Sequence, residues 1–166
     1  MNKMLTLEWL RKTLDYDPST GQFRWKTRPS SKCKIGEIAG GVCKTDGYRH
    51  IRLQKHPYRC ARLAIFITTG RFPENYVDHI NGDKADDRIS NLREATVVQN
   101  GQNTRVRSDC ASGLKGAHFN QRRGKYTSSI KVGATVKNLG AFDTAEEAHF
   151  AYSEAAKRYF GEFARA

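Results

Sequence analysis

Hydrophobic residues near the start of the chain predict one helix and one strand. Leucines recur at helical spacing, which places three of them on one face of a short helix: Leu7, Leu10 and Leu14. Thr6 precedes them and is a suitable N-terminal cap. Phe23 and Trp25 alternate with polar residues, which predicts a half-buried strand with a basic outer face.

A second alternating stretch follows the Asp-Gly hairpin signal at residues 46–47. Residues 48–53 predict a strand with one polar, cationic face. Two of its arginines, Arg49 and Arg52, could therefore lie against a DNA backbone. A simple solvated sheet face explains them equally well.

The middle of the chain predicts a helix, two short strands and another helix. Residues 62–69 read as helical and end at a glycine. Residues 77–80 read as a short strand before an Asn-Gly turn signal, and residues 92–95 can form a second short strand. Thr96 and Gln99 have the spacing of a capping box, so the second helix is expected to begin at Thr96.

The last third of the chain predicts a sheet followed by a helix. The expected strands cover residues 115–119, 125–132 and 136–142, with a turn at 122–124. Thr144 and Glu147 form another capping box, which opens a helix to about Phe160. Its apolar face would consist of Ala148, Ala151, Tyr152, Ala155 and Tyr159. The opposite face of the sheet would carry Arg123, Lys125, Lys131 and Lys137, with Tyr126 or Thr127. These elements give an α+β fold class.

The formal net charge of +12 predicts a polyanionic partner, because a strongly basic protein attracts polyanions. The excess of positive charge lies in the two flanking segments. Residues 1–57 carry 12 Lys and Arg against 5 Asp and Glu, residues 58–101 carry 6 of each, and residues 102–166 carry 11 against 6. Arg105 and Arg107, in the polar segment after residue 100, could follow a groove of nucleic acid.

Composition also excludes several classes of protein. Mean hydropathy is −0.71, so the cores must be small. No stretch approaches the roughly 20 apolar residues of a membrane span, and no secretory signal begins the chain. We therefore expect a cytoplasmic protein with no membrane partner. No pair among the four cysteines has C-x-x-C spacing, which favours reduced thiols over a zinc site.

Candidate chemistry is concentrated between residues 78 and 100. Asp78 and Asn100 offer oxygen ligands of the kind that Mg²⁺ takes from proteins. The imidazole of His79 could take a proton from an attacking water. Adjacent strand residues point to opposite faces, so Asp78 and His79 would approach a phosphate from two sides unless the strand is bulged. A polar hairpin with Asn91 as a turn residue is the alternative.

Asp78-His79, Asn91 and Asn100 resemble the HNH nuclease motif in its ββα-metal form, as found in phage and intron-type homing endonucleases. The resemblance implies that Asp78 and Asn100 hold a divalent metal, expected to be Mg²⁺ with Mn²⁺ as a possibility. It also implies that His79 is the general base and that Asn91 braces the loop and the histidine. Relatives have His-Arg-Leu where this chain has Ala61-Arg62-Leu63.

The C-terminal segment resembles the APETALA/ethylene-response-factor type of DNA-binding domain. The shared residues include the stretches 112–116, 124–126 and 139–148. In that family a three-stranded antiparallel sheet, packed on one helix, lies in the major groove. By position, the implied contact residues are Arg122, Arg123, Lys125, Tyr126, Lys131 and Lys137.

Together these patterns predict a homing-type endonuclease that hydrolyses double-stranded DNA with a bound metal. The expected domains are a basic region at 1–57, a ββα-metal HNH core at 58–108 and an APETALA-type domain at 109–166. The protein would act as a monomer or as a homodimer on DNA, and would nick one strand or break both. The rival prediction is a non-enzymatic, sequence-specific DNA-binding regulator whose nuclease core is inactive.

Overall fold

A computed structural model describes residues 5–104, 106 and 110–165. The chain divides into two compact units, Met1–Ala95 and Thr96–Ala166. Both mix helices with antiparallel sheets, as the α+β prediction requires. No helix in the described part of the chain is long and apolar enough to cross a membrane.

The first unit contains two helices and three small sheets. α1 (Leu7–Thr13) leads into the hairpin of β1 (Leu14–Asp17) and β2 (Gln22–Trp25). A three-stranded sheet follows, formed by β3 (Gly41–Val42), β4 (Arg49–Leu53) and β5 (His56–Arg59). α2 (Cys60–Thr69) then precedes a hairpin of β6 (Tyr76–His79) and β7 (Leu92–Ala95). A 3-10 turn at Ile89–Asn91 leads directly into β7.

One core holds the first unit together. The fully buried side chains from four of its elements are Leu10, Phe23, Ile51, Leu53 and Leu63. α2 is almost entirely apolar and ends at Gly70, whose positive φ of 77° closes the helix in a left-handed conformation. Ala61 is 3% exposed within this core, so the residue that replaces the usual family histidine packs as a small apolar side chain.

The second unit is a three-stranded sheet with helices. It begins with α3 (Val97–Gln102) and continues with β8 (His118–Asn120), β9 (Lys125–Val132) and β10 (Thr135–Phe142) in the order β10-β9-β8. α4 (Ala145–Phe160) packs on the sheet and is followed by a 3-10 turn at Gly161–Phe163. The sheet's Ile130 and the helix's Ala148 and Ala156 are buried between the two layers.

The local predictions are confirmed at most elements. The helix caps at Thr6, Thr96 and Thr144 are present, and the latter two are complete capping boxes. Two strand predictions match closely, since β7 and β9 have the expected bounds. The first strand of the second unit was predicted to start at Lys115 but starts at His118. The reason is that Lys115 turns inward and donates to the carbonyl oxygens of Gln102, Thr104 and Arg165.

The predicted position of Lys137 on the outer sheet face is wrong. Lys137 pairs with Ile130, whose buried side chain faces α4, and cross-strand partners share a face. Its Nζ atom lies 3.1 Å from the hydroxyl of Tyr159, a residue of α4. The outer face instead presents Lys125, Thr127, Ser129 and Lys131, because these alternate with the buried residues of β9.

The buried face of α4 also differs from the prediction. Ala148, Ser153 and Ala156 are its buried residues, whereas Tyr159 is 37% exposed. Tyr159 lies at the margin of the sheet, where its ring is contacted by the Lys137 ammonium group at 4.5 Å. The aromatic ring therefore covers the lysine side chain and is not part of the core.

Candidate active site

Asp78 and His79 end β6, where pairing with β7 fixes their neighbours. The register places Asp78 opposite Arg93 and His79 opposite Leu92. Strand alternation sends the two side chains to opposite faces. Both are nevertheless buried, Asp78 at 5% exposed and His79 at 4%, because each face is covered by other parts of the chain.

The carboxylate of Asp78 is held by Arg93. The Nε and Nη2 atoms of Arg93 donate to Oδ2 of Asp78 at 2.9 and 2.8 Å. Two charge-assisted hydrogen bonds from one guanidinium therefore hold this oxygen in place. Sequence analysis did not propose Arg93 as a site residue. The signal that could have identified Arg93 is its position: when the two predicted short strands are paired as a hairpin, Arg93 lies opposite Asp78.

The imidazole of His79 is held by Asp87, a residue of the β6–β7 loop that sequence analysis also missed. Its Nε2 atom lies 3.1 Å from Oδ1 of Asp87. A carboxylate oxygen accepts, so Nε2 carries the hydrogen in this pair. The Asp87 side chain is 1% exposed. Its second oxygen, Oδ2, accepts no hydrogen bond from the described residues and lies 3.9 Å from Nε of Arg49.

The N-terminal β1–β2 hairpin packs against the backbone of Asp87. The hydroxyl of Tyr16 donates to the carbonyl oxygen of Asp87 at 2.8 Å, and burial raises the pKa of this tyrosine well above its usual range. Gly21 has a φ of +72°, and a Cβ atom there would lie 2.5 Å from the backbone of Asp87 and Arg88. The hairpin turn therefore packs directly on the loop that carries Asp87.

Asn91 braces the β6–β7 loop. Its Oδ1 atom accepts the backbone N–H of Asn81 at 2.9 Å. Its Nδ2 atom donates to Oδ1 of Asn81 at 3.0 Å and to the carbonyl oxygen of Asp86 at 2.8 Å. One carboxamide thus ties together both ends of the loop that leaves His79 and returns through Asp87.

Asn100 lies in α3, whose start is fixed by the Thr96–Gln99 capping box. It belongs to the second compact unit, whereas Asp78, His79 and Asn91 belong to the first. Among the described residues, no group of three or more His, Cys, Asp or Glu side chains could hold a metal by itself. A carboxylate and a carboxamide nevertheless fit a hard divalent cation, which often takes one or two protein oxygens and completes its shell with water and phosphate.

The predicted DNA-contact residues differ in their exposure. Arg49 is partly buried beside Asp87, while Arg52 is exposed on β4. Arg105 and Arg107 lie outside the described residues. In the second unit, the residues that remain accessible at the turn and the outer sheet face are Arg122, Arg123, Lys125 and Lys131, with Lys125 ion-paired to Asp143 at 3.0 Å.

Tyr126 and Lys137 do not share that outer face. Tyr126 alternates with Ser128 and Ile130, both buried on the α4 side of the sheet, and its ring packs 5.1 Å from that of Phe119. Lys137 is on the same side through its pairing with Ile130. Any contact of these two residues with DNA would have to come from the edge or the end of the sheet.

Comparison with known protein families finds a match in the segment that carries the candidate site. Residues 60–102 match the profile of the HNH endonuclease family and form an HNH endonuclease domain. That segment runs from α2 through both strands of the β6–β7 hairpin into α3, so it contains Asp78, His79, Asp87, Asn91 and Asn100.

Two viral proteins are similar over about two thirds of the chain. "Protein 3.8" of Escherichia phage T7 is 29% identical over 115 residues, which is 67% of this chain and 94% of that protein. An "Uncharacterized HNH endonuclease L560" of Acanthamoeba polyphaga mimivirus is 37% identical over 116 residues, 68% of this chain. The match spans 56% of the mimivirus protein's own length.

Proposed function

We propose that this protein is a metal-dependent endonuclease of homing type that hydrolyses phosphodiester bonds of double-stranded DNA. The observation that carries the proposal is the buried His79–Asp87 pair, whose histidine directly follows Asp78 in β6 of an HNH domain. A buried histidine with a carboxylate partner is the usual arrangement of a general base. The phage and giant-virus relatives fit action inside an infected host cell.

His79 takes a proton from the attacking water in the proposed mechanism. In the neutral ring the hydrogen is on Nε2, where Asp87 accepts it, so Nδ1 carries the lone pair. When Nδ1 takes the proton, the ring becomes a cation and the nearby carboxylate stabilises it. Asn91 contributes by holding the loop that places Asp87 against the ring.

Asp78 and Asn100 are the proposed ligands of a divalent cation, with Mg²⁺ favoured and Mn²⁺ also suitable. When bound, such an ion neutralises charge on the phosphate and on the leaving oxygen. Arg93 holds Oδ2 of Asp78 in place through two hydrogen bonds. Arg93 thus serves the site as a positioning residue.

The DNA is proposed to be held by Arg49 and Arg52 in the N-terminal flank and, in the C-terminal flank, by Arg105, Arg107 and the basic residues of the sheet. In the C-terminal unit, a three-stranded sheet packed on α4 presents Lys125 and Lys131 on its outer face, with Arg122 and Arg123 in the adjoining turn. This arrangement supports a sheet that reads the major groove in the manner of the APETALA type. The structure divides into two compact units after Ala95. The expected domain boundaries near residues 57 and 108 stay predictions.

Supercoiled plasmid offers a direct test of the endonuclease proposal. The purified protein should convert it to the nicked or linear form with Mg²⁺ or Mn²⁺ and leave it intact in EDTA. One active site hydrolyses one strand per event, so a monomer should nick and a homodimer on DNA should also linearise. Binding of DNA with no cutting under any metal would favour the rival function, a sequence-specific DNA-binding regulator.

The role of the C-terminal sheet needs a separate test. A Lys125→Ala/Lys131→Ala variant should lose preference for its site and keep metal-dependent cutting. Lys157→Ala is the matched control, because Lys157 is an exposed lysine of the same unit that pairs with Glu154 on α4. Unchanged site preference in the double variant would assign recognition to another part of the chain.

A further inference from the structure

The ring of Tyr48 is contacted by two cations beside the candidate base. The guanidinium carbon of Arg59 lies 3.9 Å from the ring centroid, and Nζ of Lys84 lies 4.8 Å from it. The same ring lies 5.8 Å from the imidazole of His79, centroid to centroid. Tyr48 thus brings together the base, a cation from β5 and a cation from the β6–β7 loop. We call Tyr48, Arg59 and Lys84 the cation pair site.

Asp46 anchors this site at the turn before β4. Its Oδ2 atom lies 3.4 Å from Nη2 of Arg59, and its Oδ1 atom accepts the backbone N–H of Tyr48 at 3.1 Å. Its carbonyl oxygen accepts from Nζ of Lys84 at 3.0 Å. Cation–π contacts and these bonds hold both positive groups in place before any ligand arrives.

Charge at the site is unbalanced. Arg59 and Lys84 each carry a positive charge; the Asp46 carboxylate pairs with Arg59, whereas Lys84 donates to the Asp46 backbone carbonyl. Two cations on one ring with a single carboxylate partner leave an excess of positive charge, which favours an additional anion. The Arg59 side chain is 42% exposed, and Lys84 is exposed as well, so both retain donors that a ligand can reach.

We propose that the cation pair site binds a phosphate of the DNA backbone next to the one that His79 attacks. The inference rests on the proposed function, since it takes double-stranded DNA as the substrate. Arg and Lys are the side chains best suited to hold phosphate oxygens. Tyr48 supplies the rigid support that sets the distance between this phosphate and the base. None of the three residues was a candidate in the sequence.

Equilibrium binding in EDTA tests the site without any cleavage. A fluorescein-labelled duplex is titrated with the full-length protein and with Lys84→Gln or Arg59→Gln across a range of KCl concentrations. Each substitution should lower the steepness of log K against log[KCl] by about 0.9, as expected for one lost phosphate contact. The same relation predicts affinity roughly eightfold weaker at about 0.1 M salt.

Two controls separate phosphate binding from support of the fold. Lys12→Gln removes an exposed lysine of α1 that pairs with Glu8, and should leave the salt slope unchanged. Lys84→Arg keeps the charge and should keep the slope, and all four variants should unfold at the parent temperature. A lower unfolding temperature in Lys84→Gln that Lys84→Arg does not rescue would assign the residue to the fold and overturn the proposal.

The outcome is distinguishable from the test of the endonuclease itself. Slopes of Lys84→Gln and Arg59→Gln that equal those of the parent and of Lys12→Gln would overturn the cation pair site even if the protein cuts plasmid. Reduced slopes in a protein that never cuts would support the phosphate site and contradict the endonuclease.

Discussion

The Nε2 atom of His79 lies 3.1 Å from Oδ1 of Asp87, and the two side chains are 4% and 1% exposed. A polar pair buried to this degree is strongly constrained, because neither partner can be replaced by water without moving the loop. The loop is held in turn by Asn91 and by the N-terminal hairpin. The geometry of the candidate base is thus determined by three separate segments of the first unit.

Replacement of Asp87 by Asn should slow cleavage while leaving DNA binding intact. An asparagine is close in shape, but it removes the charge that stabilises the protonated ring. Residues that orient a catalytic histidine contribute between about 10-fold and 10⁴-fold to the rate, so a loss in that range is expected. Single-turnover cleavage and binding in EDTA measure the two effects separately. Asp83→Asn, an exposed change in the same loop, should cut at the parental rate.

Asn91→Ala should destabilise the first unit. The substitution removes three hydrogen bonds from one buried carboxamide. At about 0.5–1.5 kcal/mol net for each bond, the free energy of unfolding should fall by about 1.5–4.5 kcal/mol. Urea denaturation gives the value directly. Asn75→Ala, at an exposed asparagine, should change it by less than about 0.5 kcal/mol, and an equal loss in both variants would contradict the bracing role.

Acid should lower the free energy of unfolding, because two aspartates have lowered pKa values in the folded protein. Hydrogen bonds from the Arg88 side chain lower the pKa of Asp86 from 3.8 to about 2, and hydrogen bonds from Ser19 and Thr20 lower that of Asp17 equally. A carboxyl with a depressed folded-state pKa stabilises the fold above its unfolded pKa. That stability is lost as the pH falls through the folded value, here between about 4 and 2.

Urea midpoints measured across this pH window test the assignment. The parent should lose stability steadily on acidification, and an Asp17→Asn/Asp86→Asn variant should lose less over the same interval. Identical pH dependence in the two proteins would show that other groups cause the acid sensitivity.

Local signals allowed much of the fold to be predicted. Capping boxes at Thr96 and Thr144 are short-range patterns whose physical effect is confined to one turn, and both are present as expected. The β6–β7 hairpin was also predictable, since two short strand-like stretches flank a polar loop that opens with an Asn-Gly turn signal. The positions of Asp78, His79 and Asn91 follow from it.

The partners of those residues could not be predicted in the same way. Asp87 is one of three aspartates in a polar loop, and only the packing of the distant N-terminal hairpin buries this one. Lys137 was assigned to the wrong face because the register of β10 against β9 could not be read from the sequence. Lys137 is exposed, but its pairing with Ile130 places it on the α4 side of the sheet, where its ammonium group contacts Tyr159. Long-range contacts decided both cases.

The central claim is tested most directly by comparing His79→Ala with Asp78→Ala in cleavage and in binding. His79→Ala should cut more slowly by about 10²–10⁴-fold or by a larger factor, because the general base is lost. Its affinity for DNA should remain close to that of the parent, and added Mg²⁺ should not restore its activity. Asp78→Ala should also fail to cut, with partial recovery at high Mg²⁺. Cleavage by His79→Ala at the parental rate would contradict the proposed mechanism.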